Sequence, residues 1–204
     1  PGLKPGTEEQ IIKGMYLCKE GAVAAQGTSE SVAPRVQLLG SGTILRESIA
    51  AQELLEIDWG VSADVWSCPS FNELTRDGQD AERWNLLHPL ETPRVSFVAQ
   101  QLDKAKGPVV ASTDYMKAYA EQIRPFIPKN SDGSGRTYKV LGTDGFGRSD
   151  FRSKLREHFE VIRHYIVVAA LKALSEDGAV PVVKVAEAIA KYGINADKIN
   201  PLYA

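Results

Sequence analysis

Short apolar runs that close on glycine, serine or proline and lead into amphipathic stretches constrain this chain more than any other feature. Val36-Gln37-Leu38-Leu39 is followed by Gly40-Ser41-Gly42. A helical pattern then runs from Thr43 to about Glu56, with Leu45, Ile49 and Leu55 near one face and Ala51 and Leu54 beside them. Val61–Cys68 is the next strand, stopped by Pro69, and Ser70 caps a charged helical stretch that Asp77-Gly78 is expected to interrupt. Val95–Val98 reads as a strand, with a helix continuing to Leu102 as the alternative. Pro108–Ser112 reads as a buried strand followed by a helix from Asp114 to Ile123, which Pro125 ends. Tyr138–Leu141 is the last strand, and Gly142–Gly147 carries the chain into a helix near Phe151–His158. The tail is helical over His164–Ser175 and again around Val182–Ile189, with Gly193 as the C-cap. Strands alternating with helices predict an α/β fold: three layers, a mostly parallel sheet, helices on both faces and right-handed crossovers.

The first 34 residues are expected to stand apart as a linker (Pro1–Gly6), a short helix over 7–13 with Thr7 as its N-cap, a leading strand at Met15–Cys18 and a small-residue loop over 21–34. Residues 35–204 form the α/β domain proper. The chain starts at Pro1 with no Met and no signal-peptide pattern, so a piece of a longer polypeptide is expected. No apolar run approaches the roughly 20 residues that cross a bilayer, which argues against a membrane partner. Lys and Arg number 24 against 26 Asp and Glu, so there is no basic footprint for nucleic acid. Cys18 and Cys68 match no zinc-ligand spacing and fit a reduced, intracellular setting.

Few motifs carry chemistry. Gly40-Ser41-Gly42 sits between a strand and a helix, where backbone N–H groups can hold a phosphate. It lacks the third glycine of the dinucleotide fingerprint, since Leu45 stands there. It reads as a tight turn, with anion or partner contact as the rival. Gly142-Thr143-Asp144-Gly145-Phe146-Gly147-Arg148-Ser149-Asp150 is the most distinctive stretch. Its glycines fit positive φ or close approach by another surface. Arg148 could pair with Asp150 or with an external carboxylate or phosphate. Phe146 and Arg148 replace the oxygen ligands of a calcium loop, and no Gly-Lys-Ser/Thr follows. The Asp77–Asn85 segment mixes acids, Arg83 and Trp84; a solvated helix face with Trp84 turned inward is favoured over a subunit contact. His88, His158 and His164 fall in no zinc-hydrolase spacing, and no Gly-x-Ser-x-Gly elbow occurs.

Val36–Arg46 resembles the start of the transketolase-type C-terminal domain. Phe71–Asp80, Leu87–Arg94, Ala111–Lys117, Val140–Asp150 and Asn200-Pro201 narrow the resemblance to the C-terminal end of the homodimeric bacterial pyruvate dehydrogenases, collinearly over the whole chain. That resemblance implies a cytoplasmic homodimer that uses thiamine diphosphate and magnesium, decarboxylates pyruvate and acetylates the lipoyl group of the acetyltransferase component. It places the cofactor in upstream domains of the same polypeptide and none in this chain. The family's cofactor motif begins Gly-Asp-Gly and is completed by a downstream Asn. Here Thr143 takes the first position, and the next Asn is Asn195. No catalytic, cofactor-binding or metal-binding residue is therefore assigned, and the isolated chain is expected to be inactive. The expected role is dimerisation and closure of the active-site channel, through the loops Gly40, Ser41, Gly42 and Thr143, Asp144, Gly145, Phe146, Gly147, Arg148, Asp150. The alternatives are a freestanding anion- or protein-binding regulatory module and the same domain of a paralogous 2-oxo acid dehydrogenase.

Overall fold

The computed structural model describes residues 5–22 and 33–204. Five strands make one sheet: β1 (Tyr16–Lys19), β2 (Arg35–Gly40), β3 (Ser62–Ser67), β4 (Val109–Ser112) and β5 (Tyr138–Leu141). Their spatial order is β1-β3-β2-β4-β5. β1 pairs antiparallel with β3, and the other pairs are parallel. The central strands are buried along their length, as a sheet covered on both faces requires. The predicted linker and small-residue loop lie largely outside the described residues.

Alternation along each strand divides two cores. Val36, Leu38, Ala63, Val65 and Val110 point to one face, against α2 (Leu45–Trp59), α7 (Arg163–Glu176) and α8 (Val183–Lys191). Leu39, Trp66, Val109, Ala111 and Tyr138 point to the other, against α3 (Phe71–Leu87), α4 (Phe97–Leu102) and α5 (Lys117–Glu121). A short α1 (Thr7–Ile12) precedes β1, with Gly6 and not Thr7 at its N-cap, and α6 (Arg152–His158) follows β5. The three-layer α/β architecture read from the sequence is the one present.

Four further local expectations change. Asp77-Gly78 does not interrupt α3, which runs unbroken to Leu87. A Cβ at Gly78 would stand 2.5 Å from the Phe126 ring, so this glycine is a packing notch in the helix. Val95–Val98 is not a strand: Ser96 Oγ accepts from Ala99 N and the Asp77 carboxylate accepts from Phe97 N, so α4 begins there. The helix after Asp114 is short, and a 3₁₀ turn over Arg124–Phe126 replaces its end, with Pro125 inside the turn. Trp84 does not enter the core. It lies between His88, stacked at 3.5 Å, and the Arg94 guanidinium, 3.5 Å from the ring centroid on the indole.

The amino ends of the strands carry a satisfied polar network. The Asp64 carboxylate accepts from Arg35, from Gly21 N at 2.9 Å and from Gln37 Nε2 at 2.9 Å. Trp66 Nε1 donates to Gln37 Oε1 at 2.8 Å. Gln37 is fully buried, so each of these bonds replaces water that cannot reach it.

Candidate functional site

The carboxyl ends of the strands are built differently. The chain leaves β2 for β3 on one side, then crosses from β3 to β4 on the other side of β2. The crevice between the ends of β2 and β4 is therefore the switch point of the sheet, where open α/β folds present their binding clefts. A cleft of about 330 Å³ opens there. Thr43 and Ile44 come from the turn after β2, Asp114 from the end of β4, and Thr143, Gly145, Gly147 and Arg148 from the loop after β5. Arg152, Leu155 and Arg156 from α6, with Phe159 and Val161, close it.

The Gly40–Gly42 turn is explained from within the chain. A Cβ on Gly40 would stand 2.8 Å from the Leu45 Cα, so the glycine lets α2 start directly against the strand. Ser41 is buried and its N–H donates to Ser112 O at 3.0 Å. Gly42 has φ +55°, and a Cβ there would meet the Asp114 carboxylate at 2.8 Å. Asp114 also accepts from Thr43 Oγ1 at 3.2 Å. The position an external anion would take over this turn is thus held by the chain's own carboxylate.

The loop after β5 divides into a fixed and a free part. Thr143 N donates to Tyr115 O at 2.9 Å, and Thr143 Oγ1 to Asp114 O at 2.8 Å. The Asp144 carboxylate accepts from Lys117 N at 3.1 Å and stands 3.7 Å from Lys117 Nζ. Gly145, at φ +106°, lies so close to the tail that a Cβ would be 2.2 Å from Pro201 O. Beyond it Phe146 is exposed, and Gly147 and Arg148 line the cleft. Asp150 does not pair with Arg148; its carboxylate accepts from Phe151 N at 2.7 Å. The two predicted loops therefore meet at one cleft, bridged by Asp114.

Sequence reasoning missed Asp114, Arg152 and Arg156 as cleft residues. Asp114 ends a strand, and Arg152 and Arg156 are spaced i, i+4 on one helix face; both signals were present. Arg156 is anchored by Glu47, a buried carboxylate on α2. Glu47 Oε1 accepts from Arg156 Nη1 at 2.8 Å, and Oε2 from Arg163 Nε at 2.9 Å and Arg163 N at 3.2 Å. Burial alone would raise the Glu47 carboxyl, but the bonds from Arg163 and the charges of Arg163 and Arg156 outweigh it and hold it below the ordinary carboxylate range.

These residues do not fit thiamine diphosphate with magnesium. Asp144, the acid of the motif-like stretch, is committed to Lys117. Among the described residues no group of three or more His, Cys, Asp or Glu could hold a metal ion. No helix among them is long and apolar enough to cross a membrane.

Residues 14–162 match the family described as the Transketolase-like TK C-terminal domain. The pyruvate dehydrogenase E1 component of Cupriavidus necator is 58% identical over 99% of this chain, and that of Escherichia coli K12 is 53% identical over all of it. The chain spans about a fifth of the length of these curated relatives, 21% in each. A transketolase from Pichia stipitis superposes on 87% of the chain and 20% of its own, with a TM-score of 0.50 at 17% identity, which supports the fold. The resemblance first carried by Val36–Arg46 and the later blocks thus holds across the chain, and the chain belongs to the transketolase-like C-terminal domain family.

Proposed function

We propose that this chain is the C-terminal domain of a pyruvate dehydrogenase E1 component, and that it serves the enzyme by packing rather than by chemistry. The observation that carries the reading is identity above 50% over essentially the whole chain to two enzymes of that name. The full polypeptide then decarboxylates pyruvate and acetylates the lipoyl group of the acetyltransferase component. Thiamine diphosphate and magnesium belong to parts of the polypeptide upstream of this chain, which alone is inactive. The enzyme is a cytoplasmic homodimer.

The surface supports a packing role. Tyr115, Phe146, Phe151 and Tyr203 are exposed aromatics on the loops and tail at the carboxyl end of the sheet. Leu86 and Leu87 at the end of α3, with Leu90 and Val95 after it, are a second uncovered set, Leu90 being entirely exposed. Aromatic and apolar side chains of this kind are enriched where proteins dock. Phe146, Gly147 and Arg148 then border the active-site entrance, while Gly40–Gly42 and Thr143–Gly145 fix the border's shape.

The test uses the full-length polypeptide. Pyruvate-dependent acetylation of a free lipoyl domain is expected, and its absence with well-folded, cofactor-supplied protein would sink the assignment. In sedimentation, Phe146→Ala with Phe151→Ala is expected to weaken the dimer or raise KM for the lipoyl domain. Unchanged association and kinetics would remove this face from the interface and channel.

A further inference from the structure

The geometry points to a binding site for a small organic anion in the switch-point cleft, with a carboxylate or phosphate head on Arg148 and Arg152 and an apolar body on the floor. The inference rests on the cleft and not on the enzyme assignment.

The argument is one of elimination among the lining groups. Asp114 takes Thr43 Oγ1 on its carboxylate and Thr143 Oγ1 on its backbone carbonyl, so both hydroxyl protons are used within the chain. Arg156 is held by Glu47, which it shares with Arg163. Arg148 and Arg152 remain. Neither side chain makes a hydrogen bond or ion pair among the described residues, although both line the cleft. Asp150, two residues from each, turns its carboxylate to Phe151 N instead. The cleft therefore presents two uncommitted guanidiniums, each able to grip a planar or tetrahedral oxyanion through paired N–H groups.

The rest of the lining shapes what the head carries. Ile44, Leu155, Phe159 and Val161 make the floor. Inorganic phosphate alone would leave that surface wet. A compact apolar body attached to the anion would cover it and add burial to the ionic contact. The Asp114 carboxylate at the other side repels a second anionic head, so a single-headed ligand fits better than a dicarboxylate. A cleft of about 330 Å³ is at the small end of ligand sites, which suits a body no larger than one ring.

Phenyl phosphate is the probe, with inorganic phosphate and benzyl alcohol as the head-only and body-only controls. The full-length polypeptide is titrated by calorimetry, and amide exchange is followed over residues 143–159. Saturable binding of phenyl phosphate is expected, at least about tenfold tighter than either control, with slowed exchange confined to that segment. Arg148→Ala and Arg152→Ala should each weaken binding by about tenfold or more, as expected for loss of a charged hydrogen-bonding group. Arg148→Lys should recover only part of the loss, because the charge returns without the fork. Both arginines are exposed, so the variants keep the fold, which the exchange of β2 and β4 monitors. Binding that the Ala variants leave unchanged, protection elsewhere in the polypeptide, or no saturation at millimolar probe would each overturn the proposal.

Discussion

Replacing Glu47 with Ala should cost about 3 kcal/mol and act locally on α6 and the start of α7. The magnitude follows from who is left behind. Glu47 is 4% exposed in its side chain, Arg156 15% and Arg163 42%. Removing the carboxylate strands Arg156 in a largely desolvated place, which for a buried pair costs roughly 3–5 kcal/mol. Arg156 borders the cleft and can draw some water from it, which favours the lower end of that range. Arg163 is nearly half exposed, so its side-chain pair counts as a surface one, under about 1 kcal/mol. Its backbone N–H loses an acceptor as well, which offsets part of the relief at Arg156. About 3 kcal/mol corresponds to roughly a hundredfold change in an opening equilibrium. Amide exchange over residues 152–166 in the exchange-limited regime should therefore speed up about a hundredfold, while β2 and β4 change less. Replacing Glu47 and Arg156 together with Leu should recover half or more of the loss, because the charge left without a partner is then only the solvated Arg163. Acceleration below about fivefold in Glu47→Ala would show that the triad is worth no more than a surface salt bridge.

Gly107→Ala should lower stability by at least about 2 kcal/mol, because φ is +83° and a Cβ would fall 1.7 Å from Arg35 O; an unchanged denaturation midpoint would contradict this. Gly78→Ala sets two effects against each other: helix propensity favours Ala by about 1 kcal/mol, but the Cβ meets the Phe126 ring at 2.5 Å. Net destabilisation of about 1–2 kcal/mol is expected, turning to stabilisation when Phe126 is shortened to Leu; a stabilised single variant would mean that the ring moves aside freely. Acid should destabilise the fold in two stages. Burial, helped by the charge of Arg163, lowers His164, so the folded state resists its protonation and stability falls as pH drops through about 6.5. Glu47 and Asp64 lie below their ordinary range because arginine contacts outweigh burial, so their contribution is complete above about pH 4.5 and is lost below it. Denaturation midpoints from pH 8 to 3 should show both stages, and a midpoint that rises on acidification would refute the assignment of signs.

The strands were legible because each has a short apolar run ending in a turn residue, and β5 falls at Tyr138–Leu141 as read. The failures share a cause. Gly78, Val95–Val98 and Trp84 were read by local propensity, while their states are set by Phe126, Asp77 and Arg94, distant in sequence but adjacent in space. The loops of the site were legible for another reason: both follow strands, and their glycines mark close approaches. What joins them was not legible. Asp114 over Gly42 and Glu47 under Arg156 are contacts across 72 and 109 residues that no spacing rule announces.

The two ends of this sheet divide stability from recognition. At the amino end, Asp64, Arg35 and Gln37 answer one another's hydrogen-bonding groups, with Trp66 Nε1 reaching Gln37 from further along β3, leaving little to offer a ligand. At the carboxyl end, two arginines have no partner among the described residues and four aromatics stand in solvent. A fold gains little stability from such groups, which leaves them available to a ligand or a partner surface. The two ends should therefore separate by mutation. Asp64→Ala takes the carboxylate from the half-buried Arg35 and removes the acceptor for Gly21 N–H and Gln37 Nε2, so it should cost about 3 kcal/mol while leaving anion binding at the cleft unchanged. Arg148→Ala with Arg152→Ala should do the reverse, keeping the denaturation midpoint and losing the anion. A double Arg variant that also loses a comparable share of stability would mean that these side chains hold the loop itself, and the division between the two ends would fail.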